Sequence, residues 1–234
     1  MNPVRMLLAA ILLFAGSALA HGGLAEVSVF DRTEGRRLQV YWHEGRAYVV
    51  GKPGNEYRIA VRNRLRAEVL AVVSVDGVNV ITGQSADPSQ SGYVLSPHGR
   101  LDIQGWRRSL SQTAAFYFTS LADSYAARTG RPDHVGVIGV ALFGKRLAPA
   151  SIGGAAPLSR DRAAEAQSGT GHGRHETSHA HYVGFERATS APAEVIALYY
   201  DTRAGLVAKG VIRDPVPVAP LPQPFPGFVP DPAG

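Results

Sequence analysis

Histidine is the residue type whose spacing most strongly suggests chemistry in this chain. Four of the eight histidines lie within ten residues: His172, His175, His179 and His181. Neutral imidazoles are good ligands for copper and zinc, and alternate residues of an extended strand share one face. Glu176 could add a carboxylate ligand. No HExxH motif is present, so the alternative interpretation is a polar strand whose histidines are solvated.

A further histidine matters if the chain is processed. Residues 1–20 have the form of a secretory signal peptide, with a basic start, an apolar run and the small-x-small cleavage pattern of Ala18-Leu19-Ala20. Cleavage there would make His21 the first residue, and a terminal amine next to an imidazole can chelate copper. Copper or zinc binding at His21 or at the cluster is therefore the alternative to a protein without a cofactor.

Two other places are candidates for ligand binding. Asp76 and Asn79 lie in the segment SVDGVNV, where Asp76 most simply serves a turn. Trp106 and Arg107 are adjacent, so an exposed indole beside a guanidinium could stack on a sugar or hold an anion. The simpler interpretation of Trp106 is a core residue, because tryptophan is usually largely buried.

Motifs for nucleophilic catalysis and nucleotide binding are weak in this sequence. There is no GxSxG elbow and no Walker loop. The chain contains no cysteine, which excludes thiol catalysis, cysteine-ligated zinc and haem attachment through cysteine. Catalytic residues therefore stay unassigned, and a non-enzymatic protein is favoured.

Alternation of apolar and polar residues predicts β-strands through the first part of the chain. The alternating sets are Val27 and Val29; Leu38, Val40 and Trp42; and Tyr57, Ile59 and Val61. Residues 69–75 form a continuous valine-rich run, which is typical of a strand buried on both faces. Asp76-Gly77 directly after this run predicts a two-residue hairpin turn.

The later part of the chain also favours strands. They are predicted at residues 92–95, 101–103, 115–119, 135–143, 182–187, 195–200 and 206–212. Residues 110–128 are ambiguous, because their apolar positions also fit a helical stripe. Short strands separated by turn signals favour a mostly β fold: an antiparallel β-sandwich, jelly-roll-like or Ig-like, with few short helices.

Composition divides the chain into segments. We expect a signal peptide at 1–20, a single sandwich domain at 21–213 with a loop insertion at about 145–171, and a flexible tail at 214–234. The tail carries half of the chain's sixteen prolines, which favours polyproline-like backbone. No later stretch of about 18 uncharged apolar residues exists, so no integral membrane span is predicted.

Several phrases of the sequence together resemble a family of uncharacterised exported proteins of Gram-negative bacteria. They are SVDGVNV, GYVLSP, GWRRS, SYAARTGRP, VGVIGVALF and GTGHGR, which fall in order between Val27 and Ile212. The resemblance implies an export signal and a mostly β domain. It implies no activity, because no function is known for that family.

These observations lead to an expectation for function. The protein is expected in the periplasm or outside the cell, as a non-enzymatic binding or structural module of the bacterial envelope. Its net charge of +5, which becomes +4 when Arg5 leaves with the signal, comes from scattered basic residues. An exported protein with this pattern is not expected to bind nucleic acid. The expected partner is an envelope polysaccharide or another envelope protein.

Overall fold

Strands make up most of the regular structure in this computed structural model, which describes residues 20–21, 23–146 and 173–213. Within these residues the strands are β1 (Ala20–His21), β2 (Ala25–Asp31), β3 (Arg36–Arg37), β4 (Val40–His43), β5 (Arg46–Val50), β6 (Glu56–Asn63), β7 (Val69–Val75), β8 (Val78–Asn79), β9 (Tyr93–Leu95), β10 (Arg100–Ile103), β11 (Gly105–Arg107), β12 (Gln112–Tyr117), β13 (Val137–Gly144), β14 (His175–Thr177) and β15 (Glu194–Asp201). The helices are α1 (Tyr125–Arg128) and α2 (Arg203–Ala208), with a 3-10 turn at Pro132–His134. None of these helices is long and apolar enough to cross a membrane.

The strands form two sheets. The first has the order β1-β2-β6-β12-β11, with β3 paired to β2, β10 to β6 and β14 to β12. The second has the order β4-β5-β15-β13-β7-β8, with β9 paired to β7. Among these strands the pairings are antiparallel except for one: β5 runs parallel to β15, which makes the second sheet mixed.

One buried cluster joins the two sheets. It contains Tyr57 and Phe116 from the first sheet, whose rings stack 5.2 Å apart, and Val73, Leu142 and Leu198 from the second. Because both sheets contribute their inner faces to the same apolar core, the architecture is a β-sandwich. The mostly β fold class is confirmed, with helices that are few and short.

Strand β7 is buried on both faces, as its valine-rich sequence predicts. One alternate set of its side chains enters the core between the sheets. The other set, Leu70 and Val72, packs with Ala141 and Phe143 in a second cluster on the outer face of the second sheet. The part of the outer face around β7 and β13 is therefore covered by other parts of the chain, Val94 and Phe185.

The prediction of a strand at residues 182–187 is wrong. This segment is irregular apart from an isolated bridge between Arg187 and Lys145. Phe185 packs on the outer cluster, and the guanidinium of Arg187 lies 4.3 Å from the centroid of the Phe143 ring. Phe185 thus covers a sheet, and the segment does not extend one.

The prediction of a strand at residues 206–212 is also wrong, because the chain turns into α2 there. The hydroxyl of Thr202 accepts a hydrogen bond from the Gly205 amide at 3.1 Å and caps the helix. Gly210, with a φ of 71°, follows the end of the helix. The ambiguous stretch 110–128 is strand β12 as far as Tyr117 and helix only at α1.

The remaining segment predictions fall largely outside the described residues. This holds for the signal peptide except Ala20, for the loop at about 145–171 except Lys145 and Arg146, and for the tail at 214–234.

Candidate functional site

A cleft of about 760 Å³ opens where the parallel strands β5 and β15 end. Gly51 follows β5 and Thr202 follows β15, and both line the cleft. The turn before β13, at Gly136, and residues 118–121 after β12 complete it. The parallel pairing brings these ends together, because the carboxyl ends of parallel strands meet at one edge of a sheet.

Three tyrosines form a row across the outer face of the second sheet beside this cleft. Tyr41 on β4 lies opposite Tyr48 on β5, and Tyr48 lies beside Tyr199 on β15. Paired residues of neighbouring strands share a face, so these side chains stand side by side. The rings of Tyr48 and Tyr199 are 5.5 Å apart with their planes tilted by 34°, and both line the cleft. We call these three residues the tyrosine row.

Arg46 adds a permanent cation to the row. It precedes Tyr48 by two residues, and its guanidinium carbon lies 5.8 Å from the centroid of the Tyr199 ring. A side-chain hydrogen bond with Tyr48 raises the pKa of Arg46. The tyrosine row therefore presents aromatic surface and charged donors together.

Two opposite charges of the cleft, those of Asp201 and Lys209, are paired with each other. Asp201 accepts hydrogen bonds from the Lys209 ammonium and from the Thr202 amide, each at 2.7 Å. Asp201 and Lys209 both line the cleft. This carboxylate is consequently engaged by donors of the protein itself.

Asp76 forms the predicted turn but is also buried next to the cleft. With Gly77 it closes the β7–β8 hairpin at positive φ, with Val75 opposite Val78. Its Oδ1 accepts hydrogen bonds from the Tyr200 hydroxyl at 2.7 Å and the Gly136 amide at 2.8 Å. Both of those residues line the cleft.

The second carboxylate oxygen of Asp76 is buried, and no described group donates a hydrogen bond to it. Burial raises the pKa of Asp76 from its ordinary value of 3.8 to about 6, against the lowering effect of its hydrogen bonds with Tyr200, Gly136 and Val137. Asp76 therefore supports the cleft from within the protein and does not face a ligand.

Asn79, the second candidate in that segment, is fully buried in a structural role. Its Oδ1 accepts from the amides of Ile81 and Thr82, and its amide nitrogen donates to the Ser91 carbonyl. These contacts hold the loop after β8, and Asn79 does not line the cleft.

Trp106 and Arg107 do not form an exposed binding pair. Trp106 is only 6% exposed and packs edge-on against Phe116, with ring centroids 5.2 Å apart. Arg107 donates hydrogen bonds to the Ser178 carbonyl at 2.6 Å and the Ser178 hydroxyl at 3.1 Å. The indole belongs to the core, and the guanidinium anchors the segment that follows β14.

In the histidine segment, residues 172–181, the side chains of His175 and Glu176 contact arginines. The imidazole Nε2 of His175 lies 2.7 Å from a guanidinium nitrogen of Arg108. The Glu176 carboxylate accepts hydrogen bonds from two guanidinium nitrogens of Arg32, at 2.7 and 3.0 Å. One of its oxygens also lies 2.7 Å from a guanidinium nitrogen of Arg174. The carboxylate that could have joined a metal site is thus neutralised by two cations.

The structure describes only some of the other predicted metal ligands. His179 and His181 are exposed, and His172 lies outside the described residues. The backbone of His21 pairs with Glu26 of β2. Within the described part of the chain, no group of three or more histidine and acidic side chains is placed to hold a metal ion.

Sequence reasoning missed the tyrosine row and the exposure of Trp42. Alternation does put Arg46 and Tyr48 on one face, but only the pairing with β15 brings Tyr199 beside them. Trp42 alternates with Leu38 and Val40, which are buried, yet it is 52% exposed. The reason is its place on β4, the edge strand of the second sheet, where few neighbours can cover an indole.

Comparison with known proteins gives no further guide to this site. No family model matches the chain, and neither does a curated protein or a solved structure.

Proposed function

We propose that the protein is an exported, non-enzymatic binding module of the bacterial envelope, which holds a saccharide chain against the tyrosine row. The observation that carries the proposal is the alignment of Tyr41, Tyr48 and Tyr199 across three adjacent strands, beside a cleft with charged donors. Export is supported by the signal-like residues 1–20.

The dimensions of the row suit an elongated ligand. Neighbouring strands are about 4.8 Å apart, so the row extends roughly 10 Å across its two inter-strand gaps. That is about the length of a disaccharide. The rings are fixed by a sheet, so little conformational entropy is lost when a ligand binds.

The chemistry of the surface suits a sugar better than a purely apolar ligand. The C–H faces of a pyranose can pack on the rings of Tyr48 and Tyr199, while its hydroxyls exchange hydrogen bonds with polar groups. Arg46 and the paired charges of Asp201 and Lys209 supply those groups at the rim. Such a mixture of aromatic surface and a few polar groups is typical of small-molecule sites.

Two features favour binding without catalysis. Cleavage of a glycosidic bond usually needs two carboxyl groups that face the bond. Asp201 is engaged by Lys209, and Asp76 is enclosed beneath Tyr200. Of the described carboxylates at the cleft, this leaves Glu44 as the exposed one, and one carboxylate is fewer than the pair that the reaction needs. The alternative of a copper or zinc protein draws no support from the described residues, because Arg108 approaches the His175 imidazole and two arginines hold Glu176.

The test is a titration of the exported protein with soluble peptidoglycan fragments and with polysaccharide released from lipopolysaccharide, followed by calorimetry. We expect one of these fractions to bind, and Tyr199→Ala to weaken its binding at least about tenfold, as loss of a central aromatic contact does. The matched control is Tyr182→Ala, since Tyr182 is 89% exposed and lines no part of the cleft. Equal binding by wild type and Tyr199→Ala would contradict the proposal.

A further inference from the structure

Arg46 carries a positive charge that neither acid of the cleft neutralises. The two acids that line the cleft are Glu44 and Asp201. Asp201 is paired with the Lys209 ammonium at 2.7 Å, and Glu44 lies 3.9 Å from the Nε2 of His43 with its side chain 80% exposed. Neither of them forms an ion pair with Arg46, which is exposed. The charge of its guanidinium is therefore available to a ligand.

Strand pairing places Arg46 on the same face of the second sheet as the tyrosine row. Arg46 precedes Tyr48 by two residues in β5, so the two positions are about 7 Å apart along the strand. Across the hairpin, Arg46 lies opposite His43, just as Tyr48 lies opposite Tyr41. His43 and Arg46 thus form a polar row directly next to the tyrosine row. A ligand on the rings has hydrogen-bond donors at its side.

The guanidinium of Arg46 is also held close to the rings. Its central carbon lies 5.8 Å from the centroid of the Tyr199 ring, a distance at which a cation is attracted to an aromatic face. The Tyr199 ring lies 5.5 Å from the Tyr48 ring. A sugar that packs against these two rings at about 4 Å therefore lies beside the guanidinium, and a charged substituent of that sugar can reach it.

A guanidinium suits one kind of substituent in particular. Its N–H donors form a planar fork that matches the two oxygens of a carboxylate, so the pair makes two parallel hydrogen bonds. A neutral hydroxyl offers a single oxygen without charge, and hydrogen bonds between ionised partners are about twice as strong as neutral ones. Arg46 should therefore favour a sugar with a carboxylate over the same sugar with a hydroxymethyl group.

We propose that Arg46 makes the tyrosine row selective for saccharides that carry a carboxylate group. This inference rests on the proposed function, because it names the class of saccharide that the row binds. Peptidoglycan fragments and acidic polysaccharides both contain carboxylates, and either source presents the same group to the guanidinium. Arg46 is in this view a specificity residue, whereas Tyr48 and Tyr199 supply the contact area that any sugar can use.

The experiment compares chemically altered forms of the same ligands. Soluble peptidoglycan fragments and polysaccharide released from lipopolysaccharide are each used untreated, after reduction of their carboxylates to alcohols, and after removal of phosphate by a phosphatase. Calorimetry measures their binding to the exported protein, to Arg46→Gln and to Arg46→Lys. The matched control is Arg62→Gln, because Arg62 is an exposed arginine of β6 in the first sheet and lines no part of the cleft.

We expect wild type to bind the untreated form of one fraction about tenfold more tightly than its carboxyl-reduced form, and the phosphatase-treated form as tightly as the untreated one. Arg46→Gln should lose this preference by binding only the untreated form more weakly. Arg46→Lys should keep part of the preference, because it retains the charge without the fork. Arg62→Gln should behave as wild type. The preference of wild type should shrink in about 0.5 M salt, which screens an exposed charge pair.

Equal binding of the untreated and reduced forms by wild type would overturn the inference and leave the proposed function standing; this comparison needs no variant, so it holds even if a substitution disturbs the fold. A loss on phosphate removal alone would also overturn it, since the recognised anion would then be a phosphate. So would equal weakening of both forms by Arg46→Gln, because Arg46 would then act through its contact with Tyr199. If wild type binds neither fraction, the proposed function fails, and the inference fails with it.

Discussion

The tyrosine row and the histidine segment represent two ways of placing reactive residue types in a protein. The histidine segment is dense in sequence, yet those of its histidine and acidic groups that the structure describes contact arginines or are exposed. The tyrosine row is assembled from strands about 150 residues apart in the chain, and its rings stand together. Side chains come together when their strands pair. A high number of reactive residues within a short stretch of sequence does not show that they come together.

The same contrast applies to acidic groups. Glu176 sits at a surface where two guanidinium groups compensate its charge. Asp76 is enclosed under the cleft with one oxygen that no described donor reaches. The stability of the protein should therefore depend on pH through Asp76. The Glu176 carboxylate is instead held by ion pairs with Arg32 and Arg174. Four sets of substitutions sharpen this comparison.

A large effect, about as large as any expected here, concerns Asp76 as a function of pH. Its pKa is raised to about 6, so the folded protein holds this proton more tightly than the unfolded chain. The stability that comes from protonated Asp76 is full below 3.8 and is lost as the pH rises through about 6. Between about pH 4 and pH 7, wild type should lose about 2 kcal/mol of unfolding free energy relative to Asp76→Asn.

Asparagine is the suitable replacement because it keeps an oxygen for Tyr200 and Gly136 and tolerates the positive φ of the turn. Denaturant unfolding of both proteins across this pH range makes the comparison. If the unfolding free energies of wild type and Asp76→Asn change in parallel with pH, Asp76 has the same pKa in the folded and the unfolded protein. Its burial would then contribute nothing to the pH dependence of stability.

Two glycines, Gly136 at the cleft and Gly184 in the segment after the histidines, compare how well the two regions tolerate a Cβ. Gly136 has a φ of 90°, and a Cβ there would lie 3.0 Å from the Tyr200 carbonyl oxygen. Gly136→Ala should cost about 1–3 kcal/mol through backbone strain at the cleft. Gly184 has open space around a Cβ, so Gly184→Ala should change stability by less than about 0.5 kcal/mol. Similar losses in both variants would remove the contrast between the regions.

Loss of the Glu176 charge should have an effect of intermediate size. Glu176→Gln keeps the shape of the side chain but weakens its contacts with Arg32 and Arg174. We expect a loss of about 1 kcal/mol, because charged hydrogen bonds at a partly buried site become neutral ones. Chemical unfolding at low and high salt is the measurement, and a loss that does not diminish at high salt would argue against an ionic origin.

The smallest effect is expected from the histidines themselves. Joint replacement of His172, His175, His179 and His181 by glutamine should change stability by no more than about 0.5 kcal/mol. Melting temperatures of wild type and variant should also be insensitive to added Cu²⁺ or Zn²⁺. A rise with metal that vanishes in the variant would establish the metal-binding alternative. A rise that is lost only when the amine of His21 is blocked would indicate an N-terminal copper site.

Much of the fold is readable from local patterns because those patterns have local causes. The alternation of Tyr57, Ile59 and Val61 predicts a half-buried strand, and β6 has that form. The run at 69–75 predicts a strand that is covered on both sides, and β7 is one. Residues 182–187 and 206–212 mislead because short apolar runs also serve as covers and as capped helices.

The candidate site was much less predictable than the strands. Trp106 and Asn79 have residue types that suit a binding site, but the core and a loop use them. Trp42 has the alternation of a core residue, but an edge position exposes it. Whether a side chain is available to a ligand depends on what packs against it, and single-sequence patterns do not contain that information.

By itself, the sequence determined the mostly β class, the Asp76-Gly77 hairpin and the strand buried on both faces. These follow from side-chain periodicity and from the backbone preferences of a few turn residues, which act over short distances. Only the tertiary structure decided that β5 pairs in parallel with β15, that Tyr199 joins Tyr48, and that Asp76 is enclosed beneath Tyr200. Pairing between distant strands is selected by the packing of the whole core, so no local segment encodes it.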